Sequence, residues 1–310
     1  MEEKIEIMNL LQSKQVLEHE LQSLAYGSVE IRENESNKYI YVHYREDGVA
    51  LTKYVGEYSD ELYNLVLNNN IKAKQLKKQI REITKKLKQL NYTEEELSEK
   101  VEQNIDFAKR HLVDTIYKQA ILEGVATTFA DTESIIEGGK VNNMTSEDIL
   151  KIVNLKHAWE FILNKNVILS DTNFALLCEI NKMVEEGFYY TAGKVRNTPV
   201  TIGGTTWKPD LPIESVIKEE LEEIFNKELN DVDRAIELLL YTMKKQVFID
   251  GNKRTAVIYS NHYLISKGKG IIAIPAELTE EFKDLLIPYY EGRDEKEIKK
   301  FIKEKCYMSI

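Results

Sequence analysis

Downstream of residue 93, apolar residues return every three or four positions almost to the C-terminus, a period that packed helices bury and a sheet does not. Helices are expected over 94–128, 146–165, 170–186, 213–227, 231–245, 253–267, 279–290 and 294–305. In Tyr92-Thr93-Glu94-Glu95-Glu96, Thr93 supplies a cap and Glu96 closes a capping box, which marks the start of the first helix. One stretch breaks the period. Val195, Val200, Ile202 and Trp207, with Pro199 and Gly203-Gly204, read as a β-hairpin over 195–208. The fold class is therefore mainly α, a helical bundle with one small hairpin.

The first 92 residues follow a different grammar. Leu10, Leu17, Leu21 and Leu24 predict a helix over 2–26 that stops at Gly27. Three short runs rich in Val, Ile and Tyr (28–32, 38–45 and 49–55) are separated by turn-forming clusters at Asn34–Asn37 and Glu46-Asp47-Gly48, so they predict a β-meander. A helix from Asp60 to about Leu90 follows, with Leu76, Ile80, Ile83, Leu87 and Leu90 forming a coiled-coil seam. That seam can pair with helix 2–26 or, in a homodimer, with a second chain. The chain thus divides into an α/β interaction module, 1–92, and a helical domain, 93–310.

Between Lys72 and Lys88 the long helix carries Lys72, Lys74, Lys77, Lys78, Arg81, Lys85, Lys86 and Lys88 against one acid, Glu82. Such a run reads first as the solvated face of a coiled coil, and second as a surface for nucleic acid or an acidic partner. The formal net charge of −10 argues against general nucleic-acid affinity. The sequence has no stretch of about 18 apolar residues and no basic-then-apolar N-terminus, so a cytoplasmic protein without a membrane span is expected. Cys178 and Cys306 are isolated, read as reduced structural thiols, and the five histidines form no metal-ligand cluster.

The chemistry concentrates in Gln246-Val247-Phe248-Ile249-Asp250-Gly251-Asn252-Lys253-Arg254, between helices 231–245 and 253–267. Asp231 is expected to cap the first helix, and Phe248 to anchor the loop. The unpaired N–H groups and positive dipole end of the second helix favour an anion, so the amides of Gly251, Asn252, Lys253 and Arg254 should converge on phosphate oxygens. Asp250 offers a hard carboxylate for Mg²⁺ between phosphates. Asn252 can donate to a phosphate under attack, Arg254 can clamp a neighbouring one, and Gly251 permits close backbone approach.

This loop resembles that of the Fic/Doc family, His-x-Phe-x-Asp/Glu-Gly-Asn-Gly/Lys-Arg, whose histidine deprotonates a target hydroxyl. The likeness extends over roughly 115–290. Ala192-Gly193-Lys194-Val195-Arg196 and the following Val200-Thr201-Ile202-Gly203-Gly204 are similar to the family's flap, which aligns a protein target by strand addition. Asn154-Leu155-Lys156-His157-Ala158-Trp159 looks like the helix before it. Ser134-Ile135-Ile136-Glu137-Gly138 resembles the inhibitory helix of regulated members, with the hydroxyl one place closer. The resemblance implies a Fic-type bundle and, as cofactors, Mg²⁺ with ATP or another nucleotide. It implies transfer of AMP or phosphate to a protein hydroxyl docked on the flap; the alternative is an inactive Fic-fold binding module.

Three positions differ from the family pattern. Gln246 replaces the catalytic histidine, and losing a general base costs about 10²–10⁴ in rate. Lys253 stands where many members have glycine, as in the phosphoryl-transferring Doc branch. Val257 replaces a second arginine, which leaves Glu137 without its usual partner. His262, eight residues beyond Arg254 and so about 12 Å along the helix, is too distant to substitute as base and reads as a core histidine.

Overall fold

The computed structural model describes residues 2–34, 37–46, 49–90, 92, 97–142, 144–293 and 295–310. Both turn-forming clusters lie partly, and the expected capping box at Thr93–Glu96 wholly, outside the described residues. The chain forms two compact units, Met1–Thr93 and Glu94–Ile310.

The first unit opens with α1 (Glu2–Ser23), followed by an antiparallel meander of β1 (Ser28–Asn34), β2 (Asn37–Glu46) and β3 (Val49–Glu57) in that order. Strand alternation sends Ile40 and Val42 to one face, where they are fully buried against Val66 of α2 (Asp60–Gln89). Tyr39 and Tyr41 point to the other face, beside Tyr54. Ser59 starts α2 by accepting a hydrogen bond from the Leu62 N–H. The seam on α2 packs against α1 of the same chain. Lys72 pairs with Glu20, while residues 12–17 of α1 face residues 79–86 of α2, so the two helices run antiparallel.

The second unit contains α3 (Glu99–Arg110), α4 (Leu112–Leu122), α5 (Phe129–Ile136), α6 (Ser146–Ile162), α7 (Lys165–Ile168) and α8 (Phe174–Val184). It continues with α9 (Glu214–Asn226), α10 (Asp231–Lys245), α11 (Asn252–Ser266), β4 (Ile271–Ile272), α12 (Thr279–Tyr290), α13 (Lys296–Phe301) and β5 (Tyr307–Met308). The chain is mainly α. The helix expected over 94–128 is interrupted at His111, whose ring Nδ1 bonds back to the Phe107 carbonyl, and its α4 portion ends at Leu122, ahead of Gly124 with φ at +79°.

Helix α11 is the hub. All but two of its residues are buried, because α10, α8, α6 and α3 surround it. Two of its polar side chains are fully committed inside the unit, while the Tyr259 hydroxyl and two nitrogens of Arg254 are buried without a hydrogen-bond partner. Asn261 holds β4 by exchanging hydrogen bonds with Ile272, and His262 lies between the Val167 carbonyl and the Thr172 hydroxyl. Burial pushes the His262 pKa down to about 4, so it is a neutral core residue.

Two local expectations are corrected. Asn230 rather than Asp231 caps α10, and Asp231 instead accepts a hydrogen bond from Tyr263. The segment 195–208 forms no strand, so the flap is not a β-hairpin. Its two arms are held by a side chain: the Arg196 guanidinium donates to the carbonyls of Gln246, Thr198 and Asp210, and Pro199 has no N–H for a ladder.

Candidate functional site at the N-terminus of helix α11

The loop between α10 and α11 is fixed from several directions. Val247 and Phe248 are buried, with Phe248 1% exposed, which makes the aromatic ring the expected anchor. Arg196 N–H bonds to the Val247 carbonyl. Asn181 of α8, itself buried, donates to the Asp250 carbonyl and the Thr255 hydroxyl and accepts from the Gly193 N–H. It thereby ties the flap run to the loop. Gly251 has φ at +73°, and a Cβ there would lie 2.3 Å from Oε1 of Glu185, so both the backbone conformation and the available space require glycine.

Asn252 is committed to the loop itself. Its Oδ1 accepts from the Phe248 N–H at 3.0 Å, while Nδ2 donates to the Phe248 carbonyl and to the Gln246 side chain. The donation to a phosphate expected of this side chain is therefore not free in this state. Gln246 is also turned inward, its Nε2 donating to the Met243 carbonyl at 2.6 Å. It is the one non-glycine residue among those described with positive φ (+47°), a left-handed C-cap that ends α10. An amide locked between Met243 and Asn252 positions the loop and accepts no proton.

The main-chain N–H groups of Asn252, Lys253 and Arg254 have no acceptor among the described residues. The Gly251 N–H, by contrast, is taken by the Asp250 carboxylate at 2.7 Å. Asp250 is half exposed and keeps its second oxygen, so it stands at the mouth of the site.

Arg254 is 2% exposed and faces carboxylates rather than water. Its Nη2 lies 2.7 Å from Glu185 Oε1 and 3.7 Å from Asp250, and its Nε lies 3.5 Å from Glu123. Lys253 is 3.5 Å from Glu123 as well. Despite these ion pairs, buried Nε and Nη1 of Arg254 lack an aligned hydrogen-bond acceptor. Buried, unsatisfied guanidinium donors beside open amides are what an entering oxyanion would satisfy. Burial is the main cause that raises the Glu185 carboxyl pKa, to about 7; Arg254 opposes the shift, and Asp250 and Glu123 add to it. Tyr189 is also near, its pKa raised by burial and then by Asp250 and Glu185.

Glu123 and Glu185 were not singled out in the sequence. Each is the C-cap of its helix, α4 and α8, where the dipole disfavours a negative charge. Two acids at helix C-termini were the available signal that a cation had to meet them. The structure does not bring the other regulatory candidates to the site. Glu137 is exposed and makes no ion pair with Arg254, while Ser134 bonds to the Lys140 carbonyl within its own turn. Val200, Thr201, Ile202 and Gly203 lie in the flap segment, where no main-chain group of 199–204 makes a hydrogen bond among the described residues. No cluster of three or more His, Cys, Asp or Glu side chains suited to a metal occurs among the described residues, and burial pushes both thiols up to about 12.

Helices gathered around a buried central helix, with a glycine-containing loop at its N-terminus, share the fold of solved Fic-domain proteins. The chain resembles Fic-1 of C. elegans (residues 134–508) at 17% identity and a TM-score of 0.52, covering 79% of this chain and 77% of that one. It also resembles a Fic domain containing signaling protein from Bacteroides thetaiotaomicron, at 19% identity and TM-score 0.51 over 61% of this chain and 75% of that one. A Fic family protein from Desulfovibrio desulfuricans matches at 13% and 0.52, over 67% and 72%. A comparison with curated proteins finds no match. Residues 171–264 match the Fic/DOC family model.

Proposed function

We propose that the second unit binds a nucleotide or another phosphate-bearing ligand at the N-terminus of α11 and transfers AMP or a phosphoryl group to a protein hydroxyl docked on the flap. The observation that carries this reading is the pairing of three unoccupied amides, Asn252 to Arg254, with a buried arginine whose Nε and Nη1 have no aligned acceptor. Amides and guanidinium would hold phosphate oxygens, and Lys253 would add charge at the rim.

A single half-exposed carboxylate fits Mg²⁺, which keeps waters and takes its remaining oxygens from phosphates. Asp250 would hold that ion, whose contribution is to offset the charge of the phosphates. The unpaired main chain at 199–204 suits strand addition by an extended target, with Val200 and Ile202 beneath it. Gln246 orients the loop but cannot take the hydroxyl proton, so transfer is expected to be slow.

Glu185 sets the condition for binding. An oxyanion on Arg254 meets this carboxylate at ion-pair distance, so the ligand enters when Glu185 is protonated or displaced. Titration calorimetry with Mg²⁺ and ATP, GTP or CDP-linked ligands tests the reading: affinity better than millimolar supports it, and nothing tighter removes its basis. Incubation with labelled ATP and lysate then separates transfer from binding alone, because transfer leaves a modified band.

A further inference from the structure

Helix α2 carries a feature that the second unit's chemistry does not use. Lys74, Lys77, Lys78, Arg81, Lys85 and Lys88 recur at i, i+3, i+4, i+7, i+11 and i+14, which places all six on one face. At 1.5 Å per residue the stripe is about 21 Å long. Between residues 74 and 88 the single acid on the helix is Glu82, 3.9 Å from Lys78 at the stripe's edge. Lys74, Lys78, Arg81, Lys85 and Lys88 are exposed, and Lys77 lies over the ring of Tyr26. Among the described residues, Lys74, Arg81, Lys85 and Lys88 have no ion-pair partner. The apolar face of the same helix is occupied elsewhere, since Ala73, Leu76 and Leu87 are buried.

We propose that this stripe is a docking surface for the phosphate backbone of a nucleic-acid duplex. The net charge of −10 disfavours nucleic-acid affinity of the chain in general but not at this one surface, because screening confines each charge to about 8 Å at physiological salt, so a ligand on α2 meets the stripe and not the average. A duplex carries one negative charge per about 1.7 Å of axis, a rigid line of anions that complements a rigid line of cations. A protein partner would need an apolar centre for its interface, and a membrane would need an exposed apolar face to insert. Between residues 74 and 88 the stripe has neither, and exposed apolar residues of the same helix, among them Leu67 and Ile71, lie N-terminal to it. Single strands are held by bases stacking on open aromatic faces beside cations; residues 74–88 contain no aromatic residue, and the Tyr26 ring is covered by Lys77.

The test uses the full chain and a fluorescent 24-base-pair DNA duplex, the matching single strand, and vesicles containing phosphatidylserine. Binding of the duplex should weaken with salt at a log–log slope of about −4.5 to −5.5, as expected for five or six neutralised phosphates. The triple variant Lys78→Glu, Arg81→Glu, Lys85→Glu should lower duplex affinity by about 30-fold or more at 100 mM salt and flatten the slope by about 3, with an unchanged circular dichroism spectrum. No duplex binding at low salt overturns the proposal. So does duplex binding that survives charge reversal, equal or tighter binding of the single strand, or binding of the vesicles without the duplex.

Discussion

Replacing Glu185 with glutamine tests the link between its proton and the ligand. In the wild type the carboxyl has a pKa of about 7, against an ordinary 4.5, and lies 2.7 Å from the guanidinium that would hold a phosphate. If the oxyanion binds only beside the protonated acid, each pH unit above 7 adds about 1.4 kcal/mol, a tenfold loss of affinity. Glutamine keeps the shape and one acceptor but has no charge to expel. Calorimetric titration with ATP in excess Mg²⁺ at pH 6, 8 and 9 reads this directly. Wild-type affinity should fall about tenfold from pH 6 to 8 and about tenfold again to 9, while Glu185→Gln should stay flat and bind about tenfold tighter at pH 8. Equal pH slopes in the two proteins would refute the reasoning.

Four other outcomes follow. Arg196→Ala should cost about 3 kcal/mol in urea unfolding, because a buried guanidinium serving three carbonyls is lost; a change below 1 kcal/mol would show the flap is held otherwise. Gly251→Ala should destabilise by about 2 kcal/mol or more, since it strains a left-handed residue and drives into Glu185. The buried proton sites act in opposite windows. Glu185, raised, contributes stability that is complete below pH 4.5 and is lost as pH rises through about 7; His262, depressed, contributes stability present above pH 6.5 and lost as pH falls through about 4. Unfolding free energies of wild type and Glu185→Gln across pH 4 to 8 should therefore converge at the acid end and diverge toward neutrality. Finally, Gln246→His should gain automodification with labelled ATP that the wild type lacks; silence in both would mean the cradle lacks more than a base.

Much of the fold was legible because helix periodicity is a local property. The expected helices at 60–90, 231–245, 253–267 and 279–290 match the observed elements within a residue or so, since each has an uninterrupted apolar stripe and a stop signal. The two-residue strands β4 and β5 were not legible. They are joined by pairing across 34 intervening positions and have no period of their own. The flap failed for a related reason: its alternating residues looked strand-like, but what joins its arms is Arg196, a long-range side-chain clamp invisible to pattern.

In the candidate site the loop itself was legible and its surroundings were not. Phe248 as anchor and Gly251 as a position of close approach follow from residue type. Glu123 and Glu185 arrive from helices 131 and 69 residues upstream of Arg254, so only the packing of α4 and α8 reveals that the arginine is already neutralised. Asn252 illustrates the same limit, because an amide that can serve a phosphate serves the Phe248 backbone instead.

The most direct test of the account is a titration of the ¹⁵N-labelled full chain with ATP and Mg²⁺ at pH 6.5, following the amide signals of Asn252, Lys253 and Arg254. Saturable shifts are expected, centred on these three amides and on the Arg254 side chain. Signals that stay in place up to about 10 mM ligand, or shifts confined to other parts of the chain, would contradict it.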